Sequence, residues 1–385
     1  RLIPFIFSRT QAYVLEFGEK YMRVFKEDGQ VESAPGTPYE LVTTYTAAEV
    51  PYLTFKQSGD TMYIAHTAHA PAKLTRTGHA AWALANISFT ATPAEWGASD
   101  YPGAVAFFEQ RSVWAGSPSH PATLWLSKAG DFEDMTTGTA DDDACVFTIA
   151  ADQYDPIAHV IADKVLIALT YSGEYVLTGG TDKAITPTNI LIQRHGSHGC
   201  NSVRPIQVDK NHLFMQRAGR KLRAFSYAWE QDSYNSPDIT LLSEHITRGG
   251  IVEMAFAEEP ESLVWLVRSD GVLVSLTDDA DQKVLGWARQ ITRAGDEFES
   301  VATVPYGDKD VTWLAVKRTI GTSTKRFIEY FLTDWNMHDL DDPPGLMLDC
   351  AVTGTDVAGK DTWDGLDHLD GETVHALADG IYMGT

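Results

Sequence analysis

Apolar and polar residues form short alternating runs that recur along this chain as a unit of about 48–52 residues, roughly six times. Each unit consists of an apolar strand, a polar turn, a second strand that is almost entirely apolar, and one or two further strands. A repeat of this length with four strands per unit is typical of β-propeller blades, whose inner strands are buried on both faces. The predicted second strands cover residues 61–66, 112–116, 165–169, 212–216, 263–267 and 311–316.

We therefore predict an all-β chain with three parts. Residues 1–50 form an N-terminal β-hairpin segment, residues 51–333 a six-bladed β-propeller, and residues 334–385 an acidic linker with the start of a small C-terminal β module. The sixth unit lacks a clear fourth strand, and an open sheet edge invites mispairing. We expect a strand at residues 12–17 or 21–25 to close the ring. A β-sandwich with fortuitous spacing is the alternative fold.

Helix signals are few. The clearest is a capping-box pattern at Thr46 and Glu49, which predicts one short turn before Leu53 that Pro51 keeps brief. No apolar run approaches the roughly 20 residues that a membrane-spanning helix needs, and we predict no membrane association. The three cysteines, Cys145, Cys200 and Cys350, lie far apart and are odd in number, which argues against a disulfide framework and suits folding in a reducing cytoplasm.

The chain is strongly acidic, with a formal net charge of −23 from 53 Asp and Glu against 30 Lys and Arg. Such a surface repels nucleic acids and anionic membranes. Ordinary solubility explains this charge, and so does a surface along which DNA passes without binding. No segment combines a basic stripe with stacking aromatic residues, which excludes specific nucleic-acid recognition.

Several clusters resemble sites but lack the required spacing. His195, His198 and Cys200 lie within six residues, yet they match no standard zinc motif. Three acidic stretches lack the calcium-loop pattern, and they are expected to be solvated loops. These stretches are Asp141-Asp142-Asp143, Asp278-Asp279-Ala280-Asp281 and residues 364–371.

Motifs for covalent or phosphate chemistry are missing as well. The nucleophile elbow G-x-S-x-G is absent, and the glycines at Gly179 and Gly180 lack P-loop spacing. The turn at Gly219 is expected to be a solvated hairpin tip. A glycosidase needs two carboxylates about 5–9 Å apart, and neither residues 127–132 nor any other unit carries the sialidase repeat signature. We predict no catalytic, cofactor-binding or metal-binding residue and no cofactor.

Segments distributed along the whole chain resemble the tail nozzle proteins of short-tailed bacteriophages, also called tail tubular protein B or stabilisation proteins. The order of these segments, more than any one of them, carries the resemblance. They cover residues 1–5, 11–18, 21–24, 76–79 with Trp82, 101–102, 107–111, 126–132, 216–221, 250–252, 270–273, 366–371 and 377–380.

The resemblance implies a structural virion protein, assembled in the host bacterial cytoplasm, with no enzymatic activity. Copies would form a homo-oligomeric ring, expected to be a hexamer, below the portal and adaptor and beside other tail proteins. Genomic DNA would pass through the ring without specific binding, kept sliding by acidic residues. The family's layout further implies that the chain is an internal fragment. Two other classes remain open, a carbohydrate-binding or glycoside-hydrolysing propeller and a general interaction scaffold.

Overall fold

A computed structural model of the chain describes residues 1–331, except 28, 152, 181, 182, 280, 281, 283 and 294, together with residues 362, 366, 369, 373–378 and 381–384. Seven small antiparallel sheets, here called blades 1 to 7, form a β-propeller. The predicted fold class is therefore confirmed.

Each blade is built from consecutive strands. Blade 1 contains β1 (Leu2–Ser8), β2 (Gln11–Gly18), β3 (Tyr21–Lys26), β4 (Gly29–Gln30) and β7 (Glu40–Val42), with β5 (Glu32–Ala34) and β6 (Thr37–Pro38) as a separate ribbon. Blade 2 contains β8 (Thr54–Ser58), β9 (Thr61–His66), β10 (His69–Gly78) and β11 (Ala81–Asn86). Blade 3 contains β12 (Ala104–Phe108), β13 (Arg111–Ala115), β14 (Thr123–Leu126) and β15 (Cys145–Thr148).

The remaining blades follow the same order. Blade 4 contains β16 (Ile157–Ala162), β17 (Leu166–Thr170), β18 (Glu174–Thr178) and β19 (Leu191–Gly196). Blade 5 contains β20 (Ile206–Val208), β21 (Asn211–Met215), β22 (Leu222–Ala228) and β23 (Ser233–Asn235). Blade 6 contains β24 (Ile251–Ala257), β25 (Leu263–Arg268), β26 (Leu273–Asp279) and β27 (Val284–Gln290). Blade 7 contains β28 (Glu297–Tyr306), β29 (Lys309–Ile320) and β30 (Ser323–Tyr330).

The first strands of the blades face the axis of the propeller. Strand β12 packs beside both β8 and β16, β24 packs beside β20 and β28, and β1 packs beside β28. The second strands are buried along their length, as the apolar pattern predicts; every residue of β13 and β17 is buried. Side chains of neighbouring blades interlock between the sheets, so the core is distributed around the ring.

The number of blades differs from the prediction of six. Residues 12–17 and 21–25 do not complete the last blade, because they lie in β2 and β3, inside a sheet of their own. The outer strands of that sheet, β4 and β7, are only 2 and 3 residues long and mostly exposed, so the repeat pattern fades there. Within the described part of the chain, blade 7 has three strands.

The ring closes by packing of blade 1 against blade 7. Leu2, Val14 and Phe25 share an apolar cluster with Val304 and Trp313. No backbone ladder joins the two sheets in the part of the chain that the structure describes. Closure of this propeller therefore depends on side chains.

Polar groups reinforce the same junction. The backbone N–H of Leu2 donates to Ser300 Oγ at 2.8 Å. Glu253 in blade 6 accepts from the Val301 backbone N–H at 3.0 Å, from the Ser300 hydroxyl, and from Arg1 Nε at 2.9 Å. One carboxylate thus connects blades 1, 6 and 7.

The helical parts are short. The predicted capping box is confirmed: Glu49 Oε2 accepts from the Thr46 backbone N–H and hydroxyl, both at 2.8 Å, before a 3₁₀ turn at Val50–Tyr52. A second 3₁₀ turn covers Trp229–Gln231, and one α-helical turn covers Glu244–Thr247. Searching the described residues finds no helix with the length and apolar character to cross a membrane.

The predicted acidic linker from residue 334 and most of the predicted C-terminal module lie outside the described residues. In that region β31 (Ala376–Ala378) pairs with β32 (Ile381–Gly384) as an antiparallel hairpin.

Candidate functional site

A cavity of about 310 Å³ lies on the axis of the propeller. Its walls come from β8, β12, β16 and β24 and from the segment that leads into β20, so five blades contribute. Apolar side chains, including Phe55, Val160 and Phe256, form much of the wall. Lys56, His159 and Arg204 add polar groups. We refer to this space as the axial cavity.

Arg204 dominates the electrostatics of the axial cavity. Its guanidinium carbon lies 3.9 Å from the centre of the Phe55 ring, a cation–π contact. Burial, followed by the charge of Arg1, lowers the pKa of Arg204 to about 10, and Glu253 opposes this shift. The Arg1 guanidinium already binds Glu253 and the carbonyls of residues 50, 51 and 53. The nearby carboxylate is therefore engaged by another cation.

Two further basic side chains share the surroundings of Arg204. Burial among protein atoms and the charge of Arg204 lower the pKa of Lys56, although water reaches its side chain. Burial and, next, Arg204 lower the pKa of His159 to about 4, so this imidazole is neutral at pH 7. Its Nε2 atom is buried and has no hydrogen-bond partner. The axial cavity is therefore a cationic site in a chain whose net charge is −23.

The sequence analysis did not single out these axial residues. They lie one unit apart, where polar residues interrupt the first strands of blades 4 to 6: His159 in β16, Arg204 just before β20 and Glu253 in β24. A search for polar residues at equivalent positions of the repeat would have found them. These three positions come close together only when the blades are arranged in a ring.

The structure does not bring the side chains of the His195–Cys200 segment together as a group of three possible metal ligands. His195 Nδ1 lies 3.3 Å from Ser233 Oγ, and its ring packs edge-on against Tyr234. Cys200 is buried, and its pKa is raised by burial and by Glu174. Among the described residues, the group of three possible ligands that comes close together lies elsewhere.

That group consists of Glu49, His66 and His69, whose ligand atoms lie within 4.8 Å of one another. Two imidazoles and a carboxylate are ligands that suit Zn²⁺. Glu49 and His66 already have hydrogen-bond partners, however, and His69 Nε2 has an ion-pair contact without a hydrogen bond. Glu49 Oε1 lies 3.1 Å from His69 Nε2, and His66 Nδ1 accepts from the Ala68 backbone N–H at 3.2 Å. The sequence could not reveal the cluster, because the capping turn brings Glu49 to the β9–β10 hairpin.

The first acidic stretch is a structured turn with exposed carboxylates. Arg111, which is buried, donates to the carbonyls of Ser127, Asp141 and Asp143 at 2.6–2.7 Å. Asp143 Oδ2 accepts from the Ala140 backbone N–H at 2.9 Å. The Arg111 side chain therefore holds the backbone of this turn in place. The exposed Asp142 carboxylate lies 3.3 Å from the Lys128 ammonium.

The other predicted loops have ordinary structural roles. The pKa of Asp278 is raised by burial and then by Asp209. Residues 280 and 281 lie outside the described part, as do most of residues 364–371. At the turn after β21, the Lys221 ammonium binds Asp238 at 2.9 Å. A side chain at Gly179 would lie 2.0 Å from the Ala184 carbonyl oxygen, so this glycine serves close backbone packing.

Segments that carry the resemblance to nozzle proteins contact one another. The Tyr13 hydroxyl in blade 1 lies 2.7 Å from His79 Nδ1 in blade 2 and accepts from Arg76 Nη1 at 3.2 Å. Trp82 Nε1 donates to the His79 carbonyl at 2.8 Å, and its ring packs edge-on against Phe5. These residues hold blades 1 and 2 together.

A second pair of such segments meets within blade 3. The rings of Phe107 and Phe132 stack with centroids 4.6 Å apart. The backbone N–H of Gly130 donates to the Gln110 carbonyl at 2.9 Å. The segments 107–111 and 126–132 therefore stabilise the blade.

No protein-family model matches the chain, and no curated protein matches its sequence. A β-propeller supports many unrelated functions, so the fold alone favours neither a nozzle protein nor a carbohydrate-active protein.

Proposed function

We propose that this chain is a structural protein of a bacteriophage tail, of the nozzle type. Copies assemble into a ring around the channel through which the genome leaves, in contact with the adaptor and other tail proteins. The role requires no catalysis. The ring, its expected six copies and its place in the virion all belong to this proposal.

The observation that carries the proposal is that the nozzle-like segments pack against one another and hold the blades together. Tyr13 comes from one segment and Arg76 and His79 from another that is far away in sequence, and together they form one hydrogen-bonded group between two blades. Phe107 and Phe132, from two further segments, stack their rings within blade 3. Motif residues of an enzyme converge on a concave site, whereas these converge on the junctions that hold a scaffold together.

The acidic charge supports the same proposal. Glu258 and Glu259 are exposed, as are Asp141 and Asp142. Carboxylates that face a DNA channel repel the phosphate backbone, so the duplex slides instead of binding. The described exposed loops thus carry charges of the sign that this function needs.

A carbohydrate-active propeller is less well supported. Glycoside hydrolysis needs two carboxylates about 5–9 Å apart across a sugar. The residues that line the axial cavity include no Asp or Glu, and the neighbouring Glu253 is held by Arg1 and Ser300. Of the tryptophans in the described residues, Trp229 is the one that is largely exposed.

The test is negative-stain microscopy with mass photometry on the protein as its gene encodes it, alone and with the adaptor and neighbouring tail proteins. We expect rings with a central hole wide enough for duplex DNA, and no retardation of DNA in gels at low salt. A strict monomer under all these conditions would contradict the proposal. Saturable binding on a glycan array would then favour the carbohydrate alternative.

A further inference from the structure

The axial cavity places cations together without enough anions to balance them. Arg1 and Arg204 lie near one carboxylate, Glu253, which is already bound by Arg1, and Lys56 lies near Arg204. Among the described residues, no hydrogen bond or ion pair reaches the Arg204 guanidinium; its one specific contact is the Phe55 ring. A partly desolvated cation without a counterion costs free energy, which a bound anion would recover.

The polar groups also have suitable chemistry for an anion. Guanidinium groups bind oxyanions through a planar fork of donors, and a lysine ammonium adds a point charge. His159 also lines the cavity, but its Nε2 atom is buried, so the contacts available to an anion are those of Arg204 and Lys56. Of the acidic residues around the cavity, Asp163 contacts His212 at 3.2 Å, which leaves it engaged as well.

The size and walls of the cavity limit the ligand. A volume of about 310 Å³ accommodates a small molecule but not a nucleic-acid duplex. Val105, Val160 and Phe256 add apolar surface to the wall of the cavity. The walls therefore suit an organic molecule that carries an oxyanion at one end.

We propose that the axial cavity binds a small organic oxyanion, a molecule bearing a phosphate or carboxylate group, with Arg204 and Lys56 as its main contacts. This function is independent of the proposed role in a tail, because it concerns the centre of a single propeller.

The test uses calorimetry and thermal melting with inorganic phosphate, glucose 6-phosphate and citrate, each compared with chloride at the same ionic strength. We expect at least one of the three anions to bind with a stoichiometry of one per chain and to raise the melting temperature, while chloride does not. Binding of phosphate or glucose 6-phosphate but not citrate would indicate a phosphate ligand, whereas binding of citrate alone would indicate a carboxylate ligand.

The variants Arg204→Gln and Lys56→Gln test the location. We expect Arg204→Gln to weaken binding at least tenfold and Lys56→Gln several-fold, whereas Arg220→Gln, which removes an exposed arginine, leaves it within twofold. Anion-dependent shifts of the His159 ring resonances place the ligand in the cavity. Without added anion, Arg204→Gln should not lower the melting temperature, because it removes an uncompensated cation. If Arg204 only packed against Phe55, the same substitution would lower the melting temperature.

Three outcomes would overturn the proposal: no binding by any of the three anions, equal effects of chloride, or equal affinities of the Arg204→Gln and Arg220→Gln proteins. Should Arg204→Gln fail to fold, Lys56→Gln decides, since that side chain is exposed to water and its loss leaves the packing intact. Unchanged affinity in that variant would then refute the assignment.

Discussion

The carboxylate of Glu253 connects three blades at the point where the ring closes, so replacing Glu253 with Gln should loosen that junction specifically. The substitution keeps the shape of the side chain and removes its charge. The carboxylate accepts from Arg1 at Oε1 and from Ser300 and Val301 at Oε2. The amide has one oxygen, so it keeps an acceptor on only one of these two sides, and its hydrogen bonds with Ser300 and Val301 would be neutral. Hydrogen bonds to charged groups contribute about 1.5–3 kcal/mol and neutral ones about 0.5–1.5 kcal/mol.

The expected loss of stability is about 2 kcal/mol, because the amide oxygen still accepts hydrogen bonds and Arg1 retains three backbone carbonyls. For a chain of this size the unfolding entropy converts this to a decrease of about 3 °C in melting temperature. The matched control is Glu258→Gln, which removes the same charge from an exposed side chain just after β24. It should leave the melting temperature unchanged.

Hydrogen exchange measured by mass spectrometry locates the effect. In Glu253→Gln, peptides covering β1 and β28 should exchange faster, while peptides from blade 3 remain as in the wild type. Equal melting temperatures for the two variants, or faster exchange spread evenly around the ring, would refute the view that this carboxylate holds the junction.

Three further results are expected. The pKa of His159 falls from about 6.5 in the unfolded chain to about 4 in the folded one, so the contribution of this residue to stability should be fully present above pH 6.5 and decline by roughly 3 kcal/mol toward pH 4. His159→Gln should remove that contribution from the profile in urea titrations, and an unchanged slope would contradict the assignment. Gly199→Ala should destabilise the protein by about 1–3 kcal/mol more than Gly59→Ala. Both glycines have positive φ, but only at Gly199 would the new methyl group meet a backbone oxygen, at 2.0 Å. Equal melting temperatures of the two variants would exclude the clash. In a Cys350→Ser protein, the two buried cysteines should react with Ellman's reagent at the rate of unfolding, because burial raises both thiol pKa values; rapid labelling of the folded protein would show that they are accessible.

Much of the fold was predictable because the propeller repeats a local pattern. Strands such as β13 and β17 are buried on both faces, and their apolar runs stand out in the sequence. The sequence repeat did not reveal blade 1, because the outer strands of this blade are short and exposed. They therefore lack the apolar–polar alternation that marks the outer strands of other blades. The count of six instead of seven follows from that one blade.

The axial site was harder to predict for a geometric reason. Lys56, His159 and Arg204 lie in three different units, and each alone is an ordinary polar residue in a strand or turn. Their meaning depends on distances across the ring, which local sequence patterns do not contain. The reverse holds for His195 and Cys200, which are neighbours in sequence but have separate environments in the fold.

Closure by packing has a consequence for synthesis on the ribosome. Every blade is made of consecutive strands, so each can form soon after its residues emerge. The surface of blade 1 that contains Leu2, Val14 and Phe25 has no such local partner; the Leu2–Ser300 hydrogen bond, for example, joins residues 298 positions apart. This apolar surface therefore stays uncovered until nearly the whole propeller has been translated. Nascent chains should be most prone to aggregation, and most dependent on chaperones, during that interval.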